Sequence, residues 1–172
     1  MGFSVSASAA IIFISFLLAA STLYAAWDNS YSNVRAAQDD WYELKVSRLN
    51  TLLGLNASLG SVSWGSGYYN LTLYVQNSGE TQYLPHWSGV YDGDYVTLYN
   101  ISDDNVGWAE NYTYLLPGET ANLNVTNVGE DGKLHNLTII FANGCWLRLS
   151  WHYNGTAVLL DGQSRGCPTE VS

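Results

Sequence analysis

Residues 134–155 decide the fold, and they read Leu-His-Asn-Leu-Thr-Ile-Ile-Phe-Ala-Asn-Gly-Cys-Trp-Leu-Arg-Leu-Ser-Trp-His-Tyr-Asn-Gly. The apolar residues at alternate positions are Leu137, Ile139 and Phe141, then Leu147, Leu149 and Trp151. An apolar side chain at every second position is typical of a strand with one buried face. An Asn-Gly pair follows each run, and such a pair is the strongest short signal for a hairpin turn. The stretch therefore predicts successive strands of an antiparallel meander.

The same alternation extends upstream through 68–76 and 120–126. Turn-forming residues separate the runs, namely Asn77-Ser78-Gly79, Asp92-Gly93, Pro117-Gly118 and Asp131-Gly132. About seven short strands at this spacing are typical of a β-sandwich, which we expect over 68–172. Residues 55–67 are rich in Gly and Ser and predict a hinge between this domain and what precedes it.

The chain begins with Met1 to Trp27, which carry no charged side chain. Residues 1–26 therefore predict a transmembrane helix, with about the length that a bilayer requires. The side chains expected to anchor it in lipid are Ile11, Ile12, Phe13, Ile14, Phe16, Leu17 and Leu18. A cleaved secretory signal and a cleaved pilin-type leader are the alternatives, and they leave open whether the N-terminus is processed.

Helical spacing continues past the apolar run, so residues 27–54 predict a helical stalk that ends near Gly54. Trp27, Tyr31, Val34 and Trp41 fall on one stripe of this helix. Such a stripe must be covered outside the membrane, either by a partner helix or, at its first residues only, by lipid headgroups.

Seven Asn-x-Ser/Thr sequons all lie beyond residue 55 and place the C-terminal domain outside the cytoplasm. The glycosylation candidates are Asn56, Asn70, Asn100, Asn111, Asn124, Asn136 and Asn154. A polar strand face rich in Asn and Thr would produce some of these patterns by itself. Cys145 and Cys167 are the only cysteines, and in an exported domain they predict a disulfide.

Composition and motifs exclude several kinds of function. The net charge of −9 leaves no basic cluster for phosphates, so we expect no nucleic-acid partner. His86, His135 and His152 share no ligand spacing, and no nucleophile motif is present. We therefore expect no enzyme, no metal and no cofactor.

Aromatic residues flank turns in the least regular part of the domain. Trp87, Tyr91, Trp108 and Tyr112 are candidates for binding a protein partner, because aromatic side chains rimmed by polar groups are favoured interface anchors. The alternative is that most of them belong to the sandwich core.

The N-terminal block Met-Gly-Phe-Ser-Val-Ser-Ala-Ser-Ala-Ala-Ile-Ile-Phe-Ile, followed by Ser21-Thr22-Leu23-Tyr24 and Val34-Arg35-Ala36-Ala37-Gln38, resembles the archaellum stator protein F family (FlaF/ArlF). The downstream segments 73–79, 116–120 and 141–144 are similar to turns of that family and of stator protein G. The two cysteines and the tryptophans between residues 87 and 151 depart from the family pattern.

The resemblance implies an immunoglobulin-like antiparallel β-sandwich, held outside the cell membrane by one helix. Its implied role is static: to bind the surface-layer protein, to pair with stator protein G, and to hold the archaellum motor while the filament turns. A homodimer is a further possible assembly. Two other hypotheses stay open: an archaellin or pilin-type filament subunit, and a membrane-tethered carbohydrate-binding module whose loop aromatics stack on sugars.

Overall fold

The computed structural model describes residues 2–56, 59–99 and 105–168 and shows one helix followed by strands. The elements are α1 (Gly2–Asn50), β1 (Leu53–Leu55), β2 (Ser61–Trp64), β3 (Tyr68–Asn77), β4 (Gln82–Tyr83), a 3₁₀ turn (Leu84–His86), β5 (Ser88–Tyr91), β6 (Asp94–Thr97), β7 (Val106–Trp108), β8 (Tyr114–Leu115), β9 (Thr120–Gly129), β10 (Leu134–Ile140), β11 (Trp146–Tyr153) and β12 (Val158–Gly166). The chain divides into two compact units, Met1–Lys45 and Val46–Ser172.

The first unit consists of helix. Its apolar side chains are exposed on all sides within the chain itself; Ile12 and Phe16, for example, are each 70% exposed. Trp27 and Tyr31 stack on each other with ring centroids 5.8 Å apart, as their i, i+4 spacing allows. Hydroxyl groups within the apolar run bond back to the helix backbone, as Ser15 Oγ does to the carbonyl of Ile11 at 2.8 Å, so the polar atoms there are satisfied without water.

The second unit is a mainly β, antiparallel sandwich. One five-stranded sheet has the order β1-β3-β9-β7, with β2 also paired to β3, and the other has the order β12-β11-β10-β5-β6. A short ribbon of β4 and β8 completes the unit. Both Asn-Gly hairpins are confirmed, since β10 pairs with β11 and β11 with β12 in antiparallel register. Gly144 and Gly155 adopt positive φ angles of 82° and 90° at these turns, which residues with a Cβ rarely adopt.

The core lies between the two sheets and uses the predicted alternating residues. Fully buried side chains come from both sheets: Tyr69, Leu71, Leu73 and Val75 of β3, Ala121, Leu123 and Val125 of β9, Leu137 and Ile139 of β10, and Leu147, Leu149 and Trp151 of β11. Trp151 Nε1 donates a hydrogen bond of 3.2 Å to the Tyr69 hydroxyl, so the largest buried side chain has its polar atom satisfied across the core.

Two boundaries differ from the prediction. The helix ends at Asn50, and Gly54 lies in β1, where it pairs with Gln76 of β3. The segment 55–67 is not simply a hinge, because Ser61–Trp64 forms β2 and pairs with residues 69–72 of β3. A short Gly/Ser-rich segment can still add a strand when a neighbouring strand offers free backbone groups, and the sheet thus extends N-terminal to residue 68.

Candidate functional site

Trp87 and Trp108, two of the predicted partner-binding residues, belong to the core. They are 5% and 6% exposed. Trp87 contacts Phe141 and Trp108, with ring centroids 4.5 and 5.7 Å apart. The prediction that these two side chains anchor a partner is therefore wrong. The rings of Trp87, just before β5, and of Trp108, in β7, point inward, where burial of a large aromatic surface stabilises the fold.

Tyr91 and Tyr112 are half-buried and already have partners within the domain. Tyr91 stacks against Trp151 with centroids 6.1 Å apart, and its hydroxyl lies 3.3 Å from His135 Nδ1. Burial raises the pKa of Tyr91 above its ordinary value, and the nearby carboxylate of Asp92 adds to the effect. The Tyr112 hydroxyl accepts a hydrogen bond of 3.3 Å from the backbone N–H of Asn122. Both side chains therefore make contacts that stabilise the domain, and a role in binding a partner remains a hypothesis.

Two histidine side chains lie within hydrogen-bond distance of aspartate carboxylates. His135 Nδ1 lies 2.7 Å from Asp92 Oδ2, and His152 Nδ1 lies 2.7 Å from Asp161 Oδ2. Asp92 Oδ1 also accepts the backbone N–H of Asn136 at 2.7 Å, which ties the β5–β6 turn to β10. Among the described residues, no three His, Cys, Asp or Glu side chains gather as metal ligands would.

The sequons lie in different environments. Asn56, Asn111, Asn136 and Asn154 are exposed, whereas Asn70 and Asn124 are half-buried on β3 and β9. Asn124 Oδ1 accepts a hydrogen bond from Thr72 Oγ1 at 2.8 Å, the cross-strand pairing expected of a polar sheet face. Asn100 lies outside the described residues. Glycosylation at any of these positions remains a prediction.

Several hydrogen bonds hold the last turn of α1 within the second unit, close to a disulfide. Cys145 and Cys167 are joined by a disulfide, which links the β10–β11 turn to the end of β12. Arg48 Nε donates to the Asn143 carbonyl at 3.1 Å, and Asn143 Nδ2 donates to Thr51 Oγ1 at 2.7 Å. Ser47 Oγ donates to Glu80 at 2.6 Å. The domain therefore begins before the first strand.

A cleft beside this disulfide was not suggested by the sequence. It has a volume of about 280 Å³. We call it the arginine cleft, defined by Arg48, Leu49, Leu52, Trp146 and Arg165 at its wall. Sequence spacing gives no hint of it, because its residues come from the end of α1, from β11 and from β12.

The predicted anchor residues lie together on the exposed surface of α1. Ile11, Ile12, Phe13, Ile14, Phe16, Leu17 and Leu18 are all more than half exposed. Within the described residues, this helix is long and apolar enough to cross a membrane. Charged side chains begin only at Asp28.

Comparison with known proteins identifies the family. The model of the family described as archaeal-type flagellin matches residues 2–151. The chain belongs to this family. A search of curated proteins found no match. The archaeal-type flagellin family comprises structural components of the archaellum and is not an enzyme family.

A solved structure shows the same fold. The chain is similar to a protein of the archaeal flagellum of Methanospirillum hungatei strain JF1, with a TM-score of 0.65 and 20% identity over 87% of this chain and 94% of that chain. It also has similarity to the archaellum periplasmic stator protein FlaG of Sulfolobus acidocaldarius, with a TM-score of 0.44 and 18% identity over 58% of this chain and 98% of that chain. The FlaF–FlaG stator complex of the same organism gives the same score and identity over 58% of this chain and 88% of that chain. This archaeal-type flagellin family member is thus an archaellum-related protein with an N-terminal apolar helix and a β-sandwich.

Proposed function

We propose that the chain is a membrane-anchored, static component of the archaellum motor. In this role the β-sandwich lies outside the cell membrane, binds the surface-layer protein and pairs with stator protein G or with a second copy. Residues 1–26 span the membrane once, and residues 27–50 form a helical stalk. The observation that carries the proposal is the division of α1 into a charge-free part and a charged part.

The charge-free part has the length of one bilayer. Twenty-seven residues without a charged side chain rise about 40 Å as a helix, which covers the hydrocarbon core with some excess. The following residues of α1 carry Asp28, Arg35, Asp39, Asp40, Glu43, Lys45 and Arg48. If α1 packed along its whole length among helices of other copies, these charged side chains would lose their contact with water. Each would then need an oppositely charged partner, because an unpaired charge in a dry interior costs much free energy. A single span with a solvated stalk avoids that cost.

The N-terminal block supports the same proposal, since its residues through the apolar run resemble the stator protein F family. A static member of a rotary motor must hold both membrane and wall. This chain offers one element for each, a lipid-compatible helix and an exported sandwich.

The second candidate is a filament subunit, and one observation favours it. Apolar side chains remain exposed on α1 beyond the bilayer length, with Tyr31 56%, Val34 57% and Trp41 47% exposed. A bundle of copies would cover them, as would one partner helix. The carbohydrate-binding module is less favoured, because Trp87 and Trp108 are buried and offer no stacking surface.

Shearing of filaments separates the two candidates. Cells that produce the full chain with a C-terminal tag are sheared, and the filaments and membranes are then probed for the tag. A static anchor stays with the membranes, and a filament subunit is recovered in the filaments in amounts comparable with the main filament protein. An integral membrane enzyme serves as the control for contamination. Recovery of most of the tag in purified filaments would contradict the stator proposal.

A further inference from the structure

Two of the four basic side chains of the second unit line one cleft beside a tryptophan. Arg48 and Arg165 line the arginine cleft together with Trp146. The guanidinium carbon of Arg148 lies 5.7 Å from the centroid of the Trp146 ring. Residues 46–172 contain eleven acidic side chains and four basic ones. Because acidic side chains outnumber basic ones in this unit, arginines placed at random would mostly have carboxylates as neighbours. The observed grouping of arginines instead makes a locally positive site on an acidic unit.

Among the residues that the structure describes, these arginines have no carboxylate partner. In the ranges 2–56, 59–99 and 105–168, the ion pairs involve Lys133, His135 and His152, and none involves Arg48, Arg148 or Arg165. Their hydrogen bonds go to neutral oxygens: Arg48 Nε to the Asn143 carbonyl, Arg148 Nε to Thr138 Oγ1 at 3.2 Å, and Arg165 Nη1 to the Leu53 carbonyl at 3.4 Å. Each guanidinium has five N–H donors, so donors remain for an external carboxylate.

Apolar groups form the rest of the wall. Leu49 is 72% and Leu52 is 42% exposed, and the disulfide closes the base of the cleft. Trp146 lies over Gly166, where an added Cβ would come within 2.8 Å of the ring. Glycine at this position thus lets the indole lie close to the strand and keeps the cleft open. Aliphatic walls suit the side chains of a polypeptide better than a sugar, which stacks on aromatic faces.

We propose that the arginine cleft binds an acidic segment of a partner protein, in which two carboxylates flank a bulky aliphatic side chain. Arg48 and Arg165 receive the carboxylates, and the aliphatic side chain packs between Leu52 and Trp146, whereas Arg148 lies outside the lining of the cleft. An anionic lipid surface is disfavoured, because it would face the acidic surface of the whole unit, whereas a short peptide segment meets only the cleft. The site would serve a static anchor and a filament subunit alike, so it does not depend on the function proposed above.

A matched pair of peptides tests the proposal on the full chain in nanodiscs of neutral phosphatidylcholine. The probes are acetyl-Glu-Leu-Glu-Leu-amide and acetyl-Gln-Leu-Gln-Leu-amide, and the readout is the indole N–H resonance of Trp146, assigned with Trp146→Phe. We expect the acidic peptide to shift this resonance saturably and less at high salt, and the neutral peptide to leave it unchanged. Arg165→Gln should weaken binding about tenfold, the effect of losing one charge-assisted hydrogen bond.

Two control variants make the result decisive. Lys133→Gln removes the same charge at a side chain already paired with Asp131, and binding should not change. Arg48→Gln, which removes the other arginine of the cleft, repeats the test if Arg165→Gln fails to fold. Equal response to both peptides, equal loss with Lys133→Gln, or no saturable shift would overturn the proposal. So would a response to phosphatidylglycerol in the nanodisc or to a hexuronate oligomer without one to the acidic peptide.

Discussion

The two units of this chain treat apolar side chains in opposite ways. In the helix of the first unit, Ile12 and Leu23 are about 70% exposed, whereas Leu71 and Leu149 in the sandwich are fully buried. Burial of such a side chain contributes about 1.5–3 kcal/mol. The sandwich therefore obtains its stabilisation from its own core, and the helix must obtain it from lipid or from other protein chains.

This contrast explains why one chain can serve as an archaellum component outside the cell. The sandwich folds as a unit with a core, a disulfide and satisfied hydrogen bonds, and its acidic surface keeps it solvated. The helix leaves its apolar surface for its surroundings. A substitution in the sandwich should therefore change its stability, whereas a substitution in the helix should change attachment to the membrane or to a partner.

The largest expected effect is in the core. Trp151→Ala removes a fully buried indole and its bond to Tyr69, and should lower the free energy of unfolding of the sandwich by about 3–5 kcal/mol. Ile12→Ala in the helix should leave the sandwich transition unchanged, because the Ile12 side chain is 70% exposed and is not part of the buried core. Thermal unfolding of the full chain in detergent, followed by near-ultraviolet circular dichroism, measures both. Equal destabilisation by the two changes would break the comparison.

The disulfide should give the next largest effect. Cys145 and Cys167 are 22 residues apart, and closing such a loop stabilises by roughly 3 kcal/mol in the chain-entropy model. The double change Cys145→Ser, Cys167→Ser should lower the unfolding free energy by about that amount in urea titration. Added reductant should destabilise the natural chain and leave the double variant unaffected. A natural chain that is insensitive to reductant would contradict the prediction.

Local pattern predicted the strands well because period two and turn chemistry act over a few residues. Alternation placed Tyr69, Leu71, Leu73 and Val75 on one face, and these are the residues that β3 buries. The strand β2 was missed for the opposite reason. Ser61 and Ser63 alternate with Val62 and Trp64 over only four residues, and Trp64 is itself exposed. The pattern is too short to indicate a strand, and its pairing with β3 depends on tertiary contact.

Site residues were harder to predict than strands. Trp87 and Trp108 lie near turns. The sequence alone does not tell whether their rings point toward the core or toward solvent. The arginine cleft depends on Arg48, Trp146 and Arg165. In sequence, Arg48 lies about 100 residues before Trp146, and Arg165 lies about 20 residues after it. Such a site arises from the pairing of β11 with β12 and from the position of the last helical turn. The one available signal was composition, namely few bases in an acidic chain.

The core tryptophans themselves allow a finer comparison. Trp151 Nε1 donates to Tyr69, whereas Trp87 Nε1 is buried with no acceptor among the described residues. Trp151→Phe therefore loses a hydrogen bond and leaves the Tyr69 hydroxyl unpaired, and Trp87→Phe loses no bond. We expect Trp151→Phe to cost about 1 kcal/mol more than Trp87→Phe in the same unfolding assay. Equal costs would show that the bond to Tyr69 contributes nothing net.

The smallest effect is expected at an exposed ion pair. Lys133 Nζ lies 2.6 Å from Asp131 Oδ2, and both side chains are well exposed. The hydrogen bond from Lys133 lowers the pKa of Asp131, and the same bond raises the pKa of Lys133. A carboxyl with a lowered folded pKa adds stability above its unfolded pKa of about 3.9, and the gain is lost as pH falls through the folded pKa.

Lys133→Met should remove this small gain near pH 6 and make no difference once Asp131 is protonated. Exposed ion pairs contribute little to stability and are screened by dissolved ions, so the difference between the two proteins should also vanish in high salt. Urea titrations at low pH and near pH 6, with and without salt, measure it. A loss as large as that from the disulfide would mean that the surface of the sandwich, and not only its core, determines its stability.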